Sequence, residues 1–335
     1  MKDARFVSTT TTFCNATVLC ALALWFSPRA EADSINRGVW FWNTPSSPYG
    51  AANIVGTGNV ALENQTVAQF KHWGIANVYG SYGNDLETAQ TNNLAAWNTL
   101  LSQNGIVSQL LISDDKWRPG DAQDLTDMIN FNKHQPAAAQ FKAVHLDIEP
   151  QGLATWGTDN RYLDLVALAN TFLSVRSNLN ANGESNIPIY ADLTDWFDST
   201  NAINWSYANP GNPVAARDQW FAGLSNSLAG VTLMAYGQST TSKVESVVSW
   251  EMTHIPGVVR VGLDVNDPFT DLESMLSVAN GVESFYGSSA GIDIYDYQSF
   301  EQAATVPEPG TLALLATGLL GLLAWTRFRR LKPQL

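Results

Sequence analysis

Eight short β-like segments alternate with helix-like segments through the middle of this chain, and few folds can use that order. The β-like segments are Arg37–Asn43, Ile75–Gly80, Val107–Asp114, Ala143–Pro150, Ile187–Leu193, Val231–Gly237, Val258–Val265 and Gly291–Tyr297. Between them, Val60–Trp73, Leu86–Gln103, Asp121–His134, Asn160–Ala181, Ala215–Leu228, Lys243–Met252 and Asp271–Ala279 carry helical patterns. Asn104-Gly105 and Asn182-Gly183 supply C-terminal helix stops. Strands alternating with helices build parallel βα units, and eight such units close into a barrel. Residues 33–305 are about the roughly 250 residues that one such barrel needs. The expectation is an α/β protein with a single (β/α)8 TIM barrel over residues 33–305.

The two ends carry sorting features. Lys2 and Arg5 precede an apolar stretch from Phe13 to Phe26, and Ala30-Glu31-Ala32 is a small-x-small cleavage site. This pattern predicts a signal peptide over residues 1–32, with an apolar part too short to span a membrane. At the other end, Val306-Pro307-Glu308-Pro309-Gly310 leads into an apolar run from Thr311 to Thr326, followed by Arg327, Arg329 and Arg330. A basic cluster after an apolar run predicts a short transmembrane helix with its positive end inside. Both cysteines, Cys14 and Cys20, fall in the export segment, so the mature protein is expected to hold no disulfide.

Without residues 1–32 and 306–335, the core keeps 11 basic and 28 acidic residues, a net charge of −17. Such a surface repels nucleic acid and anionic membranes and suits a neutral or cationic partner. The membrane would be met only through the C-terminal helix, before processing.

Strand parity places chemistry inside the barrel. In Ala143–Pro150, Val144, Leu146 and Ile148 point one way, and His145, Asp147 and Glu149 point the other. Pro150 cannot continue a ladder, so Glu149 ends the strand, and C-terminal strand ends are where barrel enzymes do chemistry. Later strands repeat the pattern. Tyr190 and Asp192, then Arg260, Gly262 and Asp264, then Asp293 and Tyr295 share the face opposite their apolar neighbours. A polar interior needs its charges paired, and Arg260 is the obvious counter-ion for an interior carboxylate. Asp147 and Glu149, two residues apart, share a face, and burial with mutual repulsion raises one pKa toward an acid catalyst's range. His145 reads as a core histidine, since no clustered His or Cys accompanies it; neither a metal nor any other cofactor is expected.

The order Val-Pro-Glu-Pro, apolar helix, basic cluster resembles the PEP-CTERM signal of Gram-negative bacteria. That resemblance implies processing by an exosortase and release to the cell surface or the extracellular polysaccharide matrix. Asp147-Ile148-Glu149 on the fourth strand, with Met234-Ala235-Tyr236 on the sixth, is similar to the chitinase-like (family eighteen) glycoside hydrolases. A lysozyme-like barrel family also ends a strand in Asp-x-Glu, and Leu146–Glu149 resembles it as well. The family-eighteen resemblance implies that Glu149 protonates the leaving glycosidic oxygen. Asp147 would orient the substrate's 2-acetamido group, the internal nucleophile, and Tyr236 would hydrogen-bond the same group. Lys142, His145 and Gly237 stand where that family carries further Asp residues, and Ser113-Asp114-Asp115 replaces its Gly-rich third-strand motif.

Asp192 is the reserve carboxylate, and Trp42, Trp156, Trp196 and Tyr295 are candidates to stack on sugar rings. Trp40, Tyr79, Tyr82 and Trp117 lie at comparable strand ends or loops. Two functions stay open: an exported glycoside hydrolase-like protein acting on a surface or matrix polysaccharide, and a non-catalytic carbohydrate-binding protein of that surface or matrix.

Overall fold

A computed structural model describes residues 36–86, 91–113, 123–157, 160–287 and 290–305. The expected export segment 1–32 and C-terminal sorting helix lie outside these residues, as do Asp114, Asp115 and Trp117. Among the described residues, no helix is long and apolar enough to cross a membrane.

Eight parallel strands form a closed barrel in sequence order: β1 (Arg37–Phe41), β2 (Ile75–Gly80), β3 (Val107–Ser113), β4 (Ala143–Asp147), β5 (Ile189–Thr194), β6 (Gly230–Met234), β7 (Val258–Asp264) and β8 (Ala290–Tyr295). Helices follow the strands: α1 (Ala51–Ile54) and α2 (Val60–His72) after β1, α3 (Thr91–Gln103) after β2, α4 (Gln123–His134) after β3. Then come α5 (Arg161–Ala181), α6 (Pro213–Gly223), α7 (Thr241–Val248) with α8 (Glu251–His254), α9 (Leu272–Tyr286) and α10 (Tyr297–Thr305). The fold is the (β/α)8 barrel that the alternation predicts.

Register shows which side chains fill the interior. Tyr79 of β2 pairs with Trp40 and Gln109, and His145 of β4 with Leu111 and Tyr190. Thr232 of β6 pairs with Asp192 and Arg260, and Asp293 of β8 with Gly262 and Gly38. Each odd strand advances two residues between its neighbours, which gives the shear of eight that this barrel type requires. Tyr79, His145, Thr232 and Asp293 thus share one layer; Trp40, Leu111, Asp192 and Gly262 form the next toward the C-terminal mouth. The opposite face, including Val39, Val144, Leu146, Val261 and Ile294, is buried under the helices.

The lower layer is held by an ion pair. Arg260 Nε donates to both Asp293 oxygens at 2.8 and 3.0 Å, and Tyr79 Oη and Thr232 Oγ1 each donate to Asp293 at 2.7 Å. Burial works against the Arg260 charge, but the Asp293 carboxylate outweighs it and holds the guanidinium's pKa above its ordinary value. Gly38 makes room for this cluster: a Cβ there would stand 2.2 Å from Asp293 Oδ1 and from Tyr79 Oη. Arg260 is the interior counter-ion expected from parity, and Asp293 is its partner.

Among the departures from the sequence expectation are α1, which it lacks, and the expected helix Lys243–Met252, which divides into α7 and α8. Helix α9 runs through Asn280-Gly281, which resembles a stop, and ends instead at Gly287, where φ is 63°. Asn280 accepts a hydrogen bond from Arg37 Nη2 at 2.8 Å, beside the Arg37–Glu283 pair. At Gly281, a Cβ would meet Thr241 Oγ1 at 2.2 Å, so this glycine serves close helix packing within the element. Helix α10 has no counterpart in the sequence expectation, because its residues follow β8 without a turn signal.

Glu251, at the start of α8, is fully buried, and neither carboxyl oxygen has a hydrogen-bond partner. Burial, then the Asp198 carboxylate, pushes its pKa up to about 8 from an ordinary 4.5. The folded chain therefore keeps a proton that the unfolded chain releases above pH 4.5, so this group's contribution to stability falls as pH rises from there toward 8. Glu251→Gln should match the parent's melting temperature at pH 5 and exceed it at pH 9; equal curves at both would place the proton elsewhere. Asp293→Ala should lower the unfolding free energy in urea by about 3–5 kcal/mol, the usual cost of stranding one member of a buried ion pair.

Candidate active site

Three layers lead from the ion pair to the C-terminal mouth. A His–Asp contact joins the Asp293 layer to the next one up. His145 Nε2 is 2.8 Å from Asp192 Oδ1, both side chains are fully buried, and Trp40 Nε1 donates to Asp192 Oδ2 at 3.1 Å. Tyr79 stacks on the imidazole with ring centroids 3.8 Å apart, which fixes its plane. Burial dominates both titrations. It lowers His145 to about 4 and raises Asp192 well above the carboxylate range, with the Asp293 charge adding to the Asp192 shift. Each shift favours the uncharged form of its group, and His145 Nδ1 has no partner.

Asp147 comes next, at the last position of β4. It is 5% exposed, and its Oδ1 accepts no hydrogen bond. Burial raises its pKa well above normal, and Asp192 and Glu149 push it further; Ser113, its register partner on β3, hydrogen-bonds it and works the other way. Glu149 lies just beyond the strand, where Pro150 opens a 3-10 turn over Pro150–Gly152. Gln151 Nε2 donates to Glu149 Oε2. Alternation places Glu149 on the same side as Asp147 and one step nearer the opening.

Two tyrosines lie within the field of these acids. Tyr236 and Tyr295 lie 5.5 Å apart, and Trp42 packs 6.3 Å from Tyr295. Tyr236 is raised well above its ordinary pKa by burial, then by the charges of Asp192 and Asp147. Burial, then Asp296, Asp147, Asp264 and Glu149, pushes Tyr295 up to about 12. Asp147, Glu149, Asp192, Tyr236, Tyr295 and Trp42 therefore belong to one neighbourhood. Trp156 and Trp196 form a different group: their rings are 6.0 Å apart, both approach Phe197, and the Arg161 guanidinium lies over them at 5.8 and 5.7 Å. No ring contact among the described residues joins that group to Tyr295.

Some participants were not singled out from sequence. Gln151 has no signal beyond its nearness to Glu149. Thr194 continues the inward parity of Asp192 by one step, and its buried Oγ1 has no partner; Trp42 Nε1 is in the same condition. Among the described residues, no group of His, Cys, Asp and Glu has the arrangement of a metal site.

Residues 305–330 match the PEP-CTERM protein-sorting motif. The chain therefore carries a C-terminal sorting signal of exported proteins, which implies exosortase processing. No curated protein sequence matches the chain. Several solved structures are similar to the chain. The PgaB (BpsB) glycoside hydrolase domain from Bordetella bronchiseptica is 10% identical, over 84% of this chain and 98% of that one, with a TM-score of 0.46. The endo-beta-N-acetylglucosaminidase from Cordyceps militaris is 13% identical over 88% and 90%, with a TM-score of 0.45. A thermostable mutant of a xylanase, Xyn10A, from Cellvibrio japonicus is 11% identical over 79% and 87%, with a TM-score of 0.44. Lyases are among the matches too. The barrel is read from strand pairing, and substrate and catalytic residues are left to the site itself.

His145 provides a direct check on the buried pair. Its imidazole resonances should show no titration between pH 5 and 8 by NMR, with protonation only near pH 4. A midpoint near the ordinary value would mean that Asp192 is ionised beside it.

Proposed function

We propose that this chain is an exported glycoside hydrolase acting on a surface or matrix polysaccharide, with Glu149 as its general acid. The observation that carries the reading is the end of β4. Two carboxyl groups two residues apart occupy the C-terminal mouth of a barrel, the inner one buried with a raised pKa. Glu149 gives its proton to the glycosidic oxygen as the C1–O bond breaks, and the leaving sugar departs as an alcohol. On a 2-acetamido sugar, the acetamido oxygen bonds to C1 and Asp147 Oδ1 accepts the amide N–H, while Tyr236 donates to the same group. Water then adds to C1 as the bond from C1 to the acetamido oxygen breaks, and it returns a proton to Glu149. This route needs no second carboxylate on the opposite side of the ring.

Export and sorting agree with a substrate outside the cell, and exosortase would be the partner that processes the tail. Trp42 and Tyr295 offer aromatic faces beside the acids. Asp192, in contact with His145 and bonded by Trp40, acts directly on Asp147, and Trp156 with Trp196 forms a second aromatic surface for more distant sugars. The second reading, a non-catalytic carbohydrate-binding protein, draws on His145, which is neutral and buried where the resembled family carries an Asp.

Hydrolysis of a panel of polysaccharides by the purified chain, beside Glu149→Gln, separates the two. The substitution keeps the shape and removes the proton donor, so turnover should fall by about 10²–10⁴. Equal activity in both proteins would remove Glu149 from the mechanism. Sugar binding without cleavage by either would favour the binding-protein reading.

A further inference from the structure

Charge in this barrel is sorted by end. Strand ends and the segments just past them carry Asp147, Glu149, Asp195, Asp264 and Asp296 at the mouth. Bases gather at the floor, where helices end and strands begin. Lys71 and His72 close α2, Lys133 and His134 close α4, and Lys142 directly precedes β4. Arg176 Nη1 and Nη2 donate to the Ser185 and Ser227 carbonyls, in the loops that enter β5 and β6. Among the described residues, the loops from helix ends into strand starts hold a single acid, Glu184.

Lys71, Lys133 and Lys142 are exposed and make no ion pair among the described residues. Their ammonium groups donate to Asn104 Oδ1 at 3.4 Å, to Asn182 Oδ1 at 3.3 Å and to the Ala137 carbonyl. Cations are favoured at helix C-termini one by one. A parallel barrel sets those ends on one face and turns the local preference into a basic surface. Lys142 has no such local reason, since it precedes a strand. Beside it, Asn98, Ser102 and Gln140 help to line a groove of about 260 Å³, room for a polar headgroup.

The path of the chain selects what meets this face. Helix α10 starts beside the mouth, and its Phe300 packs on Trp73, at the end of α2, with ring centroids 5.1 Å apart. The chain therefore leaves the barrel on the floor side. Val306-Pro307-Glu308-Pro309-Gly310 separates α10 from the apolar run Thr311–Thr326, the stretch expected to cross a membrane. A spacer of that length reaches at most about 17 Å when fully extended. The barrel wall is taller: α2 has 13 residues and α5 has 21, about 20–30 Å of helix. A bilayer that holds the apolar run meets the floor, and the spacer is too short to bring the mouth round to it.

We infer that the floor is a docking face for an anionic lipid surface, which holds the mouth away from the bilayer while the tail is in place. The inference rests on the expected membrane run and is independent of the glycosidase reading. The net charge of −17 over residues 33–305 lies mainly off this face. The acids of the mouth stand about 20–30 Å above the headgroups, beyond two Debye lengths at physiological salt, whereas the floor bases stand within one. Each Lys or Arg near such a surface strengthens binding about fivefold.

Quenching of a fluorophore by nitroxide-headgroup lipid, in vesicles that carry the full chain, tests this. The dye is placed on Ser185→Cys at the floor or on Asn266→Cys, past β7 at the mouth, in a Cys14→Ser, Cys20→Ser background. In vesicles of equal parts phosphatidylcholine and phosphatidylglycerol, the floor dye should be quenched several-fold more than the mouth dye. On phosphatidylcholine alone, or in molar salt, floor quenching should drop. Combined Lys71→Glu, Lys133→Glu and Lys142→Glu should produce the same drop on the anionic vesicles. Lys243→Glu, at the start of α7 on the mouth side, should not. Matched melting curves establish that these variants fold. Equal quenching of the two dyes, or stronger quenching at the mouth, overturns the inference. Floor quenching that ignores both lipid charge and the lysine reversals also overturns it, and leaves the tail alone setting the orientation. Failure of the chain to float with either kind of vesicle would count against it as well.

Discussion

The Arg260–Asp293 pair sets the terms for everything above it. A (β/α)8 interior is ordinarily filled by branched apolar side chains, which pack without regard to charge. Here one layer holds a guanidinium and a carboxylate out of water, with Tyr79 and Thr232 completing the carboxylate's shell. Tyr79 then stacks on His145, and His145 meets Asp192, whose second oxygen takes the Trp40 indole. The orientation of Asp192 is thus built from the bottom of the barrel upward. A salt bridge this deep adds little net stability by itself. Its value lies in fixing which polar groups face which.

The barrel was legible because its two signals are local. Period-two alternation reveals strands, and the order of elements reveals closure. Parity also exposed the polar interior, including Arg260 as a counter-ion. Partner choice was not legible, because it depends on register between strands. Asp192, Asp264 and Asp293 all share the inward face, and only the pairing Arg260↔Gly291, with Gly262↔Asp293, puts Asp293 beside the guanidinium. The same holds for His145, which is level with Tyr190 yet bonds Asp192 two residues further along β5. Asn280-Gly281 shows the opposite failure: a sound local rule for helix ends yields to packing against Arg37 and Thr241.

At the site, the residue types carried the chemistry and the structure supplied its gradient. Charges are paired at the ion-pair layer, burial favours the uncharged forms of His145 and Asp192, and carboxylates surround Tyr295. Such a gradient separates support from recognition within a single barrel. Trp156 and Trp196 were chosen from sequence by residue type and loop position. They instead make a compact block with Phe197 under Arg161, so their relation to the acids depends on the reach of a long substrate.

Gly38 has a consequence for how this barrel can vary. The space its missing side chain leaves is shared by a tyrosine hydroxyl and a carboxylate oxygen, each at 2.2 Å from where a Cβ would be. Any larger residue on β1 must evict one of them, and evicting Asp293 leaves Arg260 unmatched. Positions 38, 79, 260 and 293 can therefore drift only as a set. A homologous barrel that has changed one without the others would have to find a different way to fill its floor, and with it a different foundation for whatever its mouth does.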